Sequence, residues 1–211
     1  MWSRIQSRLG ESYRPAQISG RLKLALGVEI SHQTIYRHIW AGKKSGGELD
    51  NFWRTKGKKY RSRGRKKDHR GPIKNAVSID ERPAIVEEKS RIGDGEIETV
   101  IGQNHQPALV TIVERKSKLT VMKKVENQTA ELVAATTIEL LRPDKDRILT
   151  LTADRGKEFA SHEKMANALE SDYYLAHPYS SWERGLNENT NGWIRQFFPK
   201  GTDLKRLPRD R

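Results

Sequence analysis

Residues 54–74 of this 211-residue chain read RTKGKKYRSRGRKKDHRGPIK, with eleven Lys+Arg, one Asp and almost no apolar side chain. Such a tract cannot bury enough apolar surface to offset the entropy of ordering it, so no core can run through it. Whatever folds must fold on either side. The expected organisation is a helical segment over 1–52, a basic linker or arm over 53–80 and an α/β domain over 81–211.

Charge follows the same division. The formal net charge is +13; residues 1–80 carry 19 Lys+Arg against 6 Asp+Glu, and the remainder carries 21 of each. A basic half beside a neutral half predicts polyanion binding in the first and different work in the second. A tract that neutralises ~6–10 phosphates loses roughly 10³- to 10⁵-fold in affinity between about 50 and 200 mM salt. RNA, an acidic protein or solvent alone would satisfy the same charges. The absence of cysteine excludes disulfides, thiolate catalysis and Cys-containing zinc sites. No apolar run approaches the ~20 residues that span a bilayer, and MWSRIQSRLGESYR lacks the apolar centre of a secretory signal, so a cytoplasmic chain with no membrane partner is expected.

Within 1–52 the spacing predicts two short helices. Pro15 suits a helix start, and Ile18, Leu22, Ala25 and Leu26 recur at helical spacing until Gly27 interrupts them. Ser31 can cap a second helix that buries Ile35 and Ile39 and turns His32, Gln33, Arg37 and His38 outward. This is a helix-turn-helix pattern, whose outward residues would meet base edges in a major groove. An ordinary helical hairpin fits equally well, and the basic neighbour favours DNA.

Past residue 93 the texture changes. Residues 98–102, 108–116 and 119–125 read as three consecutive strands, 129–141 as a helix ending before Pro143, and 148–153 as a buried strand. A helix over 161–170, a strand over 173–176 and a long helix over 181–198 complete the order βββαβαβα. The fold class expected is a mixed-sheet α/β domain of RNase-H-like plan.

Acidic side chains supply the candidate chemistry. Asp154 follows the fourth strand beside a glycine turn; Asp94, Glu96 and Glu98 alternate and so share one strand face; Glu188 lies within the last helix. On that helix Trp182, Leu186, Trp193 and Phe197 form an apolar stripe expected to pack, and Glu188 shares another face with Arg184, Asn191 and Arg195. A carboxylate flanked by phosphate-binding arginines and a plain exposed ion pair both fit this spacing. His105, His162 and His177 lack metal-ligand spacing and read as loop or surface residues.

The segments HQTIYRHIW, GDGEIETVIG, ALVTIVERKS, LTADRGKEFA and PYSSWERGLNENTNGWIRQFFPKGTD resemble the transposases of the "insertion sequence thirty" family, members of the retroviral-integrase-like DDE superfamily. The resemblance implies an RNase-H-like core whose acidic triad binds two Mg²⁺ ions, with 33 residues between its second and third members. Asp154 and Glu188 match, since residues 155–187 number 33. At the first member the family pattern resembles GDWEGDTVIG, so Glu98 stands where an Asp is usual and Gly95 where a Trp is usual; Arg155 replaces the usual Asn.

By this resemblance Glu98, Asp154 and Glu188 are the catalytic and metal-holding residues. DNA contacts are assigned to His32, Gln33, Arg37 and His38, to Lys58, Lys59, Arg61, Arg63, Arg65, Lys66 and Lys67 of the arm, and to Arg184 and Arg195. The partners implied are double-stranded DNA, as terminal inverted repeats and target, and further copies of the chain. The chain also looks short at both ends beside the family. Two functions are consistent with these residues: a transposase cutting and joining DNA with Mg²⁺, and a non-catalytic protein that occupies transposon ends.

Overall fold

The computed structural model describes residues 1–52, 73–178 and 180–206. The chain divides into two compact units, Met1–Arg63 and Gly64–Arg211.

The first unit has three helices, one more than the sequence pattern suggested: α1 (Trp2–Gly10), α2 (Pro15–Leu26) and α3 (His32–Lys44). Ile5 and Leu9, one turn apart on α1, close a core with Ile18, Leu22, Ile35 and Ile39. Each such side chain contributes about 1.5–3 kcal/mol when fully buried. Ala25 and Leu26, counted in the α2 stripe, stay exposed. Gly27 ends α2 in the left-handed conformation with φ of 65°. The Ser31 side chain accepts from the Thr34 amide at 3.1 Å and starts α3 as expected.

The second unit is built on a five-stranded sheet: β1 (Asp94–Ile101), β2 (Ala108–Glu114), β3 (Thr120–Val125), β4 (Thr150–Ala153) and β5 (Asp172–Leu175). Its order is β3-β2-β1-β4-β5; β1 to β3 are antiparallel, and β4 and β5 run parallel to β1 and to each other. This is the RNase-H-like mixed sheet that the sequence predicts. The helices are α4 (Ile85–Glu88), α5 (Ala130–Leu141), α6 (His162–Leu169) and α7 (Gly185–Phe197). The end of the expected arm joins this unit: Ile73 and Ala76 pack on its core, and the Val77 carbonyl accepts from the Leu175 amide at 2.9 Å.

Strand alternation gives the sheet two unlike faces. Ile97, Val110, Ile112, Leu151 and Ala153 pack against Val133, Ala134, Met165 and Leu169 of α5 and α6. Gly95 belongs to this apolar face, where a Cβ would lie 2.9 Å from the Leu151 Cδ2. The opposite face carries Asp94, Glu96, Glu98, Thr150, Thr152 and, just past β4, Asp154, with α7 lying across it.

Candidate active site

Along β1 every acidic side chain of the polar face meets its own arginine. Asp94 is fully buried and takes Arg91 in a fork, at 2.9 and 3.0 Å, plus the Thr150 hydroxyl at 2.8 Å. Glu96 is 1% exposed and meets Arg115 at 2.6 Å. Glu98, half-buried, meets Arg184 at 3.3 Å. Charges this deep persist only when so paired.

In the third pair the arginine is shared with the end of a second strand. The second terminal nitrogen of Arg184 lies 3.6 Å from Asp154, so one guanidinium bridges the end of β1 and the end of β4. Arg184 is 6% exposed and also donates to the Ile97 carbonyl at 3.4 Å. Asp154 accepts the Gly156 amide at 2.8 Å, which fixes its carboxylate in the turn after the strand. Burial pushes the Glu98 carboxyl above its ordinary value. The charges of Asp154 and Glu188 push the same way, while Arg184 and a hydrogen bond from Asn191 pull it down. Glu98, Asp154 and Glu188 therefore share one electrostatic neighbourhood, in which carboxylates outnumber cations.

Three hard-oxygen carboxylates are the donor chemistry that Mg²⁺ takes. The Arg184 guanidinium places a positive charge between Glu98 and Asp154, where these carboxylates come nearest. As the side chains lie, no three acidic or histidine groups among the described residues gather closely enough to hold a metal.

The long helix faces the opposite way from its sequence expectation. Trp182 is 73% exposed and Phe197 67%, Trp193 is exposed and Leu186 half-buried, whereas Asn187, Thr190 and Ile194 are buried. Arg184 and Arg195, expected to reach outward to phosphates, turn toward the sheet, and Arg195 donates to the Ile101 carbonyl at 2.7 Å. The reason lies in the partner surface. This side of the sheet offers carboxylates and carbonyls to Arg184, Asn187 and Arg195, and a small apolar patch of Val100 and Leu109 to Ile194. Arg184 Nε, both amide atoms of Asn187, Asn191 Oδ1 and Arg195 Nη1 lack hydrogen-bond partners there. Glu188 is the exposed member of the trio.

The remaining assigned residues fall as follows. His32, Gln33 and Arg37 are exposed on α3, but His38 stacks on Trp2 with ring centroids 3.9 Å apart and is half-buried, because the unforeseen α1 supplies that ring. Lys58, Lys59, Arg61, Arg63, Arg65, Lys66 and Lys67 lie outside the described residues, as does the His105 side chain. His162 is no surface residue: it is 2% exposed, with Nε2 3.1 Å from the Asn75 carbonyl. His177 bridges Glu183 at 2.8 Å and Asp80 at 3.0 Å, and these contacts, Glu183 first, raise its pKa. Arg155 donates to the Ala176 carbonyl at 3.3 Å. The role of Glu96 was not anticipated; its signal was the Asp94, Glu96, Glu98 alternation, which sequence alone could not divide among partners. No described helix is long and apolar enough to cross a membrane.

No family model matches the chain. Among curated proteins it is 47% identical over 207 residues to the transposase for insertion sequence element IS4351 of Bacteroides fragilis, covering 98% of this chain and 64% of that one. It is 30% identical over 210 residues to the transposase InsI for insertion sequence element IS30A of Escherichia coli, covering 95% of this chain and 55% of that one. The chain thus spans less than two thirds of the length of these relatives. Among solved structures it is similar to the catalytic core domain of BIV integrase, with a TM-score of 0.38 and 23% identity over 46% of this chain and 62% of that one. The match to insertion-sequence transposases runs through both compact units, the acidic segments of the polar sheet face included, and is consistent with the IS30 family of transposases.

Proposed function

We propose that this chain binds the terminal inverted repeats of a transposable element and catalyses metal-dependent cleavage and transfer of DNA strands. The observation that carries the reading is the meeting of Glu98 and Asp154 on one buried guanidinium, within the electrostatic reach of Glu188.

Glu98, Asp154 and Glu188 would hold two Mg²⁺ ions, which in such sites activate the attacking oxygen and stabilise the leaving one. The chain's own residues do the rest. Asp154 is held by the Gly156 amide, and Glu98 is oriented by Asn191 and Arg184. When carboxylates take metal, Arg184 is the cation next to them able to turn to a phosphate oxygen. His32, Gln33 and Arg37 project from α3 as base-edge readers, and the basic tract follows phosphates. More than one copy of the chain would act on the two ends of an element.

The test is a cleavage assay on DNA carrying the inverted repeats that flank the gene, with Mg²⁺ or Mn²⁺. The expected result is nicking at the repeat ends, lost in Asp154→Asn and Glu188→Gln and kept or raised in Glu98→Asp. Salt-sensitive binding with no cleavage, even by Glu98→Asp with Arg155→Asn, would leave only an end-occupying protein. Absence of binding at moderate salt would remove both functions.

A further inference from the structure

We infer that Glu96 is a positioning residue of this site: from β1 it caps the N-terminus of α7 and so sets Glu188 against Glu98. The inference rests on the reading of those two carboxylates as metal ligands.

A helix leaves its first amides without partners inside the helix, and a nearby side chain normally takes one. At α7 no local side chain does so. Instead the amide of Asn187, third residue of the helix, donates to Glu96 Oε2 at 2.9 Å, across 91 residues of sequence. A carboxylate there also sits at the positive end of the helix dipole, which favours it. Glu96 Oε1 takes Arg115 at 2.6 Å, and Arg115 is itself fixed by the Val86 carbonyl and Glu87, both at 3.1 Å. The clamp thus runs from α4 through Arg115 and Glu96 into the first turn of α7. Its two ends are adjacent to the chemistry: Glu96 lies two residues before Glu98 on the same strand face, and Asn187 directly precedes Glu188. Glu96 thus serves both the buried Arg115 guanidinium and the Asn187 amide. The local helix start would do with a Ser or Asp of its own, and an apolar face would serve the sheet.

The experiment compares the full chain with two double variants, both of which remove the buried charge pair. Glu96→Gln/Arg115→Met keeps an oxygen that can accept the Asn187 amide; Glu96→Leu/Arg115→Met does not. Hydrogen exchange followed by NMR reads the Asn187 amide, and Mn²⁺ titration followed by electron paramagnetic resonance reads the site. The Leu variant should exchange Asn187 about 100-fold faster than the natural chain, with the Val110 amide of β2 unchanged. It should also bind Mn²⁺ about 10- to 100-fold more weakly. The Gln variant should stay within about threefold on both readings, as a role in acceptance rather than charge requires.

Equal Asn187 exchange and Mn²⁺ affinity in the two variants would overturn the inference. Should the Leu variant not fold, the natural chain and the Gln variant still decide: an Asn187 amide exchanging as fast as that of Leu186, which has no such acceptor, would overturn it. DNA cleavage enters neither reading. A protected Asn187 in a chain that cuts nothing counts against the proposed activity alone, and an unprotected Asn187 in a chain that cuts counts against the cap alone.

Discussion

The two faces of the sheet solve the packing problem in opposite ways. On one, Ile97, Val110, Ile112 and Leu151 meet the aliphatic faces of α5 and α6, and any side chain of the right size and shape would serve. On the other, Asp94, Glu96 and Glu98 meet Arg91, Arg115 and Arg184, and α7 settles on these charged groups at its start and on Val100 and Leu109 through Ile194 further along. The first face is held by area, which forgives substitution. The second is held by partners, which do not, because removing one strands the other in a site from which water is largely excluded. The proposed site lies on the second face, where Glu98 and Asp154 meet on one guanidinium.

The largest break in that comparison should come from Arg115→Ala, which leaves Glu96 buried without its cation; a loss of about 3–5 kcal/mol in denaturant unfolding is expected. Ile97→Ala, one residue away but on the apolar face, should cost about 2–5 kcal/mol through a cavity, with metal affinity kept wherever the chain is folded. Glu98→Gln should separate the faces most cleanly. Burial holds the Glu98 carboxyl above its usual value, so ionising it at neutral pH opposes folding. The neutral variant should melt at or above the natural temperature while strand cleavage falls at least about 100-fold.

Two smaller effects probe the rim. Trp182→Ala should change stability by no more than about 0.5 kcal/mol in the same denaturant experiment, because the ring is 73% exposed. His177, whose pKa is raised by Glu183 first and then by Asp80, should titrate above 6.5 in an NMR pH series. Its stabilising contribution is fully present below 6.5 and lost as pH rises through the raised value; His177→Gln should abolish that part of the pH dependence.

What could be read from sequence follows the same contrast. The strands and helices of the apolar face came within a few residues of their places, since Val, Ile and Leu alternation and the 3.6-residue period report burial directly. Strand-end position singles out Asp154, whereas Glu188 is singled out only by the family resemblance and the 33-residue spacing it implies. The orientation of α7 was not legible. Counting apolar residues assigned Trp182, Trp193 and Phe197 to the interior, yet the face that packs is the one that brings Arg184 and Asn187 to the buried carboxylates and Ile194 to Val100 and Leu109. α1 escaped because Ile5 and Leu9 are only two anchors among polar neighbours, and with it went the stacking of His38 on Trp2. Glu96 was visible as an acid in a strand, but its partner amide lies 91 residues on, a distance no local pattern spans.

Gly95 bears on how such a chain can drift. A Cβ at this position would sit 2.9 Å from Leu151 and 3.6 Å from Ile112, so the glycine and its bulky neighbours fill a single volume together. A larger side chain at 95 therefore needs volume given up at Leu151 or Ile112. A tryptophan placed at 95 alone would overfill this part of the core, and smaller residues at 112 and 151 would be needed before the sheet could close over it.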